Sequence, residues 1–334
     1  MPDVLHPLSH ARLVDLLSRM RQVRVAVLGD VMLDRYLLGE TDRISPEAPV
    51  PVIALEDDIS VPGGAANAAA NVAATGATPM LVGVVGDDAA AQSLVEAIAA
   101  LGIATTGLIT VPGRPTTTKT RIVARGQQVV RLDREVTNSL ADRFRDALLV
   151  AGTAALAGAQ ALLIEDYDKG VLDAEIAAVM IAAATEKGIP VVVDPKARNF
   201  FAYPGATVFK PNIRELDAAF GTAFMGDDND LESARVRLGA EHLVVTRGAD
   251  GLSLVSAGGV VRETPAVPRA VFDVSGAGDT VAAWLATALA AGAGVGDSAW
   301  LANLAASITV GKKGTATVSP MEIEATWMIA AGEG

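Results

Sequence analysis

The stretch Asp273-Val274-Ser275-Gly276-Ala277-Gly278-Asp279-Thr280 decides the fold class of this chain. It follows a β-prone lead-in, Ala270-Val271-Phe272, and opens a long apolar segment, Val281 to Ala291, whose composition predicts a helix. The two glycines and the alanine between them allow a tight turn. Unpaired N–H groups and the dipole at the start of a helix favour an anion. The stretch therefore predicts a strand, a glycine turn with an anion site, and a helix.

Asp279 falls in the first turn of this predicted helix. Its charge would oppose a bound anion, so anion binding alone does not require it. A carboxylate is expected there if it takes a proton from a hydroxyl that attacks a phosphoryl group. This hypothesis makes Asp279 the catalytic base and Gly276, Ala277 and Gly278 the anion hole. The alternative is a capped helix after an ordinary glycine turn.

Composition narrows the classes of function. The chain has 334 residues, 51% of them hydrophobic, which is enough to form the core of one large α/β unit. Its net charge of -12 argues against nucleic acid as a partner, because no basic field is present to neutralise phosphates. The absence of cysteine excludes disulfides and thiolate metal sites. A phosphorylated substrate would have to be held by a few well-placed cations.

The start of the chain, Met1-Pro2-Asp3, lacks the basic and apolar regions of a signal peptide. Two long uncharged runs, Ser60 to Gly86 and Ala147 to Ile164, are interrupted by glycine and polar residues. Each is better explained as a buried helix joined to a buried strand than as a membrane span. We therefore expect a cytoplasmic protein with no membrane partner.

Strands and helices alternate along most of the chain, beginning with the continuous apolar strand Val23 to Leu28. This alternation predicts one α/β domain over residues 1–334, with a mostly parallel central sheet covered by helices on both faces. Tyr36 to Leu55 and Thr116 to Leu132 break the alternation with exposed β patterns. They are predicted to form a small inserted β sheet that acts as a lid or a dimer surface.

A second glycine-rich element, Gly63-Gly64-Ala65-Ala66-Asn67, enters a helix predicted over Pro62 to Thr75. The glycines would let a ligand approach the backbone closely. Asn67 offers both a donor and an acceptor, which suits a sugar hydroxyl. A helix of small residues packed tightly on a sheet is the alternative for this element.

Two further elements follow predicted strands. In Lys210-Pro211-Asn212-Ile213-Arg214-Glu215, the amide and the carboxylate are three residues apart and share a helical face, which suits a hydrated Mg²⁺. The alternative is a capping box. Val245-Thr246-Arg247-Gly248 ends a strand, where open α/β sheets bind ligands, so it could carry a nucleotide or be an ordinary turn. No GxxxxGK(S/T) loop is present.

Taken together and in this order, these elements resemble the PfkB (ribokinase-like) carbohydrate kinases over essentially the whole chain. The resemblance implies a ribokinase-like three-layer α/β/α fold, ATP as co-substrate, Mg²⁺, and a monovalent cation as a candidate activator. It implies that Asp279 is the base beside the anion hole. The implied sugar contacts are Asp30, Gly63, Gly64 and Asn67. The implied nucleotide contacts are Asn212, Glu215, Thr246, Arg247 and Gly248, with Asn212 and Glu215 holding Mg²⁺ through water.

Within this family, Leu28 to Tyr36 and Arg43 to Val52 are similar to the kinase half of the bacterial heptose-phosphate enzymes. That similarity implies phosphorylation of D-glycero-D-manno-heptose 7-phosphate at C1, for ADP-heptose and lipopolysaccharide core synthesis. No nucleotidyltransferase motif follows, so a stand-alone kinase is expected. The exposed β pattern of the two lid segments separately predicts a homodimer through the lid. The alternatives are a kinase for another sugar, such as fructose 1-phosphate or ribose, and a non-catalytic sugar or nucleotide sensor.

A sugar that already carries a phosphate needs cations at the far end of its pocket. Four basic residues fall in the lid segments or on loops after strands: Lys119, Arg121, Lys169 and Arg198. They are the candidate phosphate anchors, and solvated surface charge is the alternative for each.

Overall fold

The computed structural model describes residues 3–4, 8–222, 228–257, 260–264 and 272–331. The predicted lead-in residues Ala270 and Val271 lie outside this described part of the chain.

Two sheets contain all the described strands. Their bounds are β1 (Asp3–Val4), β2 (Arg24–Gly29), β3 (Val31–Ile44), β4 (Pro51–Gly64), β5 (Thr78–Val85), β6 (Leu108–Thr110), β7 (Thr118–Ala124), β8 (Gln127–Arg134), β9 (Ala161–Glu165), β10 (Val191–Asp194), β11 (Val208–Phe209), β12 (His242–Thr246), β13 (Leu252–Ser256) and β14 (Val260–Thr264).

The helices lie mostly between strands of the larger sheet. Their bounds are α1 (His10–Met20), α2 (Ala65–Ala74), α3 (Ala89–Ala100), α4 (Asp142–Leu156), α5 (Ala174–Glu186), α6 (Ile213–Phe220), α7 (Asp228–Leu238), α8 (Ala277–Ala290), α9 (Val295–Thr309) and α10 (Pro320–Ala331). None of the helices in the described ranges is long and apolar enough to span a bilayer.

The larger sheet has ten strands in the order β1-β14-β13-β12-β11-β10-β9-β2-β5-β6. Its pairs are parallel except for β12 with β13 and β13 with β14. Along β2, Val25 and Val27 join one hydrophobic cluster while Ala26 and Leu28 join the other. A strand buried on both faces must be apolar at every position, which explains its continuous pattern.

Helices cover both faces of this sheet. Leu13 of α1 and Trp284 of α8 belong to the first cluster, whereas Leu148 of α4 and Met180 of α5 belong to the second. The predicted three-layer α/β/α arrangement with a mostly parallel sheet is therefore confirmed. That residues 1–334 form one domain remains a prediction.

The segments that break the alternation do form a separate sheet, with four strands in the order β4-β3-β7-β8. Its strands run further than predicted: β3 already starts at Val31, and β4 continues to Gly64. The helix predicted from Pro62 therefore begins only at Ala65. Pro62 and Gly63 are instead paired with Leu33 and Met32 on β3. We call these four strands the lid sheet.

Candidate active site

The glycine turn has the predicted geometry. Gly276 has a φ of 78°, in the left-handed region, and α8 starts at the next residue. A Cβ on Gly276 would lie 2.9 Å from the side-chain nitrogen of Asn67, so glycine is required both by conformation and by space. Ser275 N–H donates to the Asp273 carboxylate over 2.9 Å and fixes the approach to the turn. The anion-hole role of Gly276, Ala277 and Gly278 remains a prediction.

Asp279 is held by two donors from other parts of the chain. It is only 5% exposed. The Asn67 amide donates to Oδ2 over 2.5 Å, and the Tyr167 hydroxyl donates to Oδ1. Burial raises the pKa of Asp279 to about 6, against the opposing effect of these two hydrogen bonds. A carboxylate with this pKa is suited to take and release a proton near neutral pH.

The raised pKa of Asp279 predicts how the activity falls on the acidic side of its pH profile. If Asp279 is the base, kcat/KM should fall as the pH drops through about 6, because protonation removes the acceptor. Asn67→Ala removes a hydrogen-bond donor that favours the charged form of Asp279. The pKa of Asp279 should therefore rise, and the fall in kcat/KM should occur at higher pH. Tyr167→Phe should shift it in the same direction. The substrate phosphate titrates in the same range, so the diagnostic result is the difference from wild type. If the pH profiles of wild type and both variants coincide on the acidic side, the assignment of Asp279 as the base is wrong.

Two further carboxylates lie beside Asp279 at the carboxyl edge of the sheet. Glu165 ends β9 and Asp194 ends β10. One ligand oxygen from each of these two residues and one from Asp279 lie within 4.8 Å of one another. Burial, followed by the charges of Asp194 and Asp279, raises the pKa of Glu165 well above its usual range. Within the described ranges neither Glu165 oxygen has a hydrogen-bond partner. A protonated Glu165 would relieve the repulsion in this cluster.

Lys210 is a buried cation that pairs with one of these carboxylates. It is 2% exposed, and its Nζ lies 3.0 Å from Asp194 Oδ2. Both atoms lie 3.7 Å from the position that a Cβ on Gly278 would take. Lys210 and Asp194 therefore contact the first turn of α8. Lys210 belongs to the motif that contains Asn212 and Glu215, but the motif alone predicts no role for it.

Asn212 and Glu215 form the capping box that was the alternative interpretation. Glu215 N–H donates to Asn212 Oδ1, and Asn212 N–H donates to Glu215 Oε2, each over 2.9 Å. The other Glu215 oxygen accepts from Lys196 Nζ. Asn212 also forms a parallel bridge with Thr246, which brings the two predicted nucleotide elements together. Arg247 and Gly248 follow Thr246 directly, and the roles of all five residues remain predictions.

The predicted sugar-side glycines are crowded by two aspartates. A Cβ on Gly63 would lie 2.6 Å from Asp34 Oδ2, and one on Gly64 would lie 2.4 Å from the Asp30 carbonyl oxygen. Asp34 is buried, and its Oδ1 accepts from Arg121 Nη1 over 2.5 Å. Asp34 is thus a site candidate that the sequence analysis missed. Its place four residues after Asp30, in the same quoted motif, was the available signal.

Asp30 faces the loop after β9. Its carboxylate accepts backbone N–H groups from Tyr167 at 2.8 Å, Lys169 at 3.1 Å and Val171 at 3.3 Å. Burial, with a smaller effect of Asp166, raises its pKa to about 6. In this geometry Asp30 fixes the loop that carries Tyr167, and its predicted contact with sugar hydroxyls remains a prediction.

Two of the four candidate phosphate anchors meet at one carboxylate. Lys169 Nζ lies 2.9 Å from Glu135 Oε1, and Lys119 Nζ lies 3.6 Å from Glu135 Oε2. Arg121 pairs with Asp34 instead, and the Arg198 guanidinium donates to the Thr137 carbonyl. The structure therefore brings together Lys119 and Lys169, and it places Arg121 nearer the sugar-side glycines.

Comparisons with known proteins identify the family of this chain. Residues 22–322 match the family described as pfkB family carbohydrate kinase. The chain belongs to this family, and its fold and family define a carbohydrate kinase that transfers a phosphoryl group to a sugar.

Curated relatives carry the name Bifunctional protein HldE. The protein from Azorhizobium caulinodans is 46% identical over 93% of this chain, and the match spans 65% of that relative. The protein from Paramagnetospirillum magneticum is 44% identical over 91% of this chain and 63% of its own length. The chain therefore spans just under two thirds of the relatives it matches.

Solved structures share the fold. Arabidopsis thaliana ribokinase, complexed with ribose and ATP, has a TM-score of 0.72 at 20% identity, covering 91% of this chain and 98% of its own. Phosphofructokinase-2 from Escherichia coli, in complex with substrates and products, has a TM-score of 0.72 at 20% identity, covering 92% and 99%.

Proposed function

We propose that this carbohydrate kinase transfers the γ-phosphoryl group of ATP to the C1 hydroxyl of D-glycero-D-manno-heptose 7-phosphate. The observation that carries the chemistry is the buried Asp279 carboxylate, held by Asn67 and Tyr167 at the N-terminus of α8. The heptose assignment is supported by the motif resemblance and by the identity to relatives named HldE.

In the proposed reaction, the C1 hydroxyl oxygen attacks the γ-phosphorus while Asp279 accepts the hydroxyl proton. The new O–P bond forms as the bond between the γ-phosphorus and the bridging oxygen breaks, and ADP leaves with that electron pair. The N–H groups of the glycine turn would hold the phosphoryl oxygens. Asn67 and Tyr167 keep the carboxylate aimed at the hydroxyl.

The side-chain oxygens of Asn212 and Glu215 fit a hydrated Mg²⁺. Asn212 Oδ1 and Glu215 Oε2 each accept one backbone N–H, which leaves a lone pair on each oxygen for a metal-bound water. Mg²⁺ bound there would neutralise charge on the nucleotide phosphates. These two residues would also define where the nucleotide phosphates lie relative to Thr246.

A coupled assay of ADP release against a sugar panel tests this proposal. Heptose 7-phosphate should give the highest kcat/KM, well above heptose, fructose 1-phosphate and ribose. A higher value for another sugar would replace the heptose assignment while keeping the kinase. No ADP release with any sugar, from protein that binds ATP, would favour the sensor alternative.

We also propose that the lid sheet covers the sugar and pairs two subunits. It exposes large apolar side chains, among them Ile44 at 63%, Leu55 at 58% and Leu132 at 56%. Exposed strand edges and apolar patches of this kind are usually paired or covered.

Sedimentation velocity at micromolar concentration is therefore expected to show a dimer. Leu55→Asp combined with Leu132→Asp should shift the protein to a monomer, because two charges would be buried at the interface. Val150→Asp is the matched control, since Val150 is 71% exposed on α4, outside the lid sheet. A monomeric wild type would exclude this dimer.

A further inference from the structure

Lys210 lies at the edge of the sheet where the site is built. It directly follows β11, which pairs with β10 and β12, and Asp194 is the last residue of β10. The Lys210 side chain is buried and forms an ion pair with Asp194 over 3.0 Å. The cation is thus fixed at the carboxyl ends of the parallel strands, where open α/β sheets bind their ligands.

The ion pair lies against the glycine turn. The Cβ position of Gly278 is 3.7 Å from Lys210 Nζ and 3.7 Å from Asp194 Oδ2, and Gly278 is the residue before Asp279. A side chain longer than a methyl group at position 278 would cover the ammonium. Gly278 therefore places no side chain between the turn and the ammonium, and the charge of Lys210 also acts on Asp279.

Stability alone does not account for a buried lysine here. Replacing a buried ion pair with apolar residues is often neutral or stabilising, because desolvation of both charges offsets their attraction. The local charge does call for a cation. A phosphoryl group entering the turn would face the carboxylates of Asp194 and Asp279, beside the carboxyl group of Glu165. The N–H groups of a helix terminus supply only about half a positive charge.

We propose that Lys210 Nζ contacts an oxygen of the transferring γ-phosphoryl group, while Asp194 holds the ammonium in place. This inference rests on the proposed phosphoryl transfer at Asp279. During the step the sugar hydroxyl oxygen bonds to the γ-phosphorus, its proton passes to Asp279, and the bridging oxygen leaves with ADP. Lys210 donates hydrogen bonds to the equatorial oxygens and gives up no proton.

The test uses two variants. Lys210→Met keeps the length of the side chain and removes the charge, but it leaves Asp194 unpaired and could destabilise the protein. Lys210→Met combined with Asp194→Asn removes both charges and keeps the site neutral. Lys187→Met is the matched control, because Lys187 is exposed at the C-terminus of α5.

Calorimetric titration with ADP and with a non-hydrolysable ATP analogue separates the γ-phosphate contact from the rest of the nucleotide site. The double variant should bind ADP like wild type and should bind the analogue roughly 10-fold more weakly. Its kcat should fall about 100-fold, the loss typical of one missing oxyanion donor. Lys187→Met should match wild type in every measurement.

Two results would overturn the proposal. One is a double variant with wild-type kcat and wild-type affinity for the analogue, which would make the ion pair purely structural. The other is an equal loss of affinity for ADP and the analogue. If Lys210→Met does not fold, the double variant decides. The binding comparison needs no sugar, so it stands even if heptose 7-phosphate proves not to be the substrate.

Discussion

Asp279→Asn is expected to bind nucleotide with near-normal affinity and to lose turnover by roughly 10²- to 10⁴-fold, the usual contribution of a general base. The substituted amide keeps the shape of the side chain, and its oxygen can still accept from Asn67 or Tyr167. It cannot accept the proton of the attacking hydroxyl. Single-turnover kinetics with saturating ATP measure the loss in the chemical step directly.

The control for this substitution is Asp273→Asn. Asp273 lies in the same turn and accepts from Ser275 N–H, but among the described residues no hydrogen bond joins it to Asp279. It should retain most of the turnover. Near-normal kcat in Asp279→Asn would show that the base is another group or that proton transfer is not limiting.

Lys169→Ala is expected to reduce kcat/KM for heptose 7-phosphate by roughly 10- to 150-fold. A charge-assisted hydrogen bond contributes about 1.5–3 kcal/mol, and each 1.4 kcal/mol is a factor of about ten. Lys119→Ala should behave similarly, because both ammonium groups lie beside Glu135. In the structure the carboxylate of Glu135 lies between these two ammonium groups.

The measurement compares heptose 7-phosphate with unphosphorylated heptose for each variant. A phosphate anchor affects the first sugar far more than the second, whereas a residue that shapes the loop or the lid sheet affects both. Arg121→Ala and Arg198→Ala complete the series, and Lys187→Ala provides an exposed lysine as control. Equal losses on both sugars would show that the cluster at Glu135 does not bind the phosphate.

The layers of the fold could be predicted from the sequence because burial determines where apolar residues fall: a strand buried on both faces is apolar throughout, and a helix buried on one face is apolar at regular intervals. The continuous apolar run of β2 and the amphipathic pattern of α1 each determine one element with little help from the rest of the chain. The start of α2 could not be predicted in this way. Pro62 suits the first turn of a helix, but its pairing with Leu33 on β3 prolongs the strand, and that pairing depends on tertiary structure.

The sequence could predict those parts of the candidate site whose residues lie within one motif. The glycine turn and Asp279 are adjacent in sequence, and the glycine-rich element of the second motif already indicates Asn67, which donates to Asp279 in the structure. Tyr167, Glu165 and Asp194 were missed as site residues because their meeting depends on the order of strands in the sheet. That order places β9 beside β10 and brings residues from distant segments within reach of α8. Glu165 and Asp194 are polar residues that end apolar strands, and this was the signal that could have indicated those two.

The most direct measurement is ³¹P NMR of the product formed from heptose 7-phosphate and ATP. We predict that a second sugar phosphorus appears, coupled to the anomeric proton, in step with the appearance of ADP, while the 7-phosphate signal persists. Absence of any anomeric phosphate, with ADP released instead on another sugar or not at all, would contradict the proposed function.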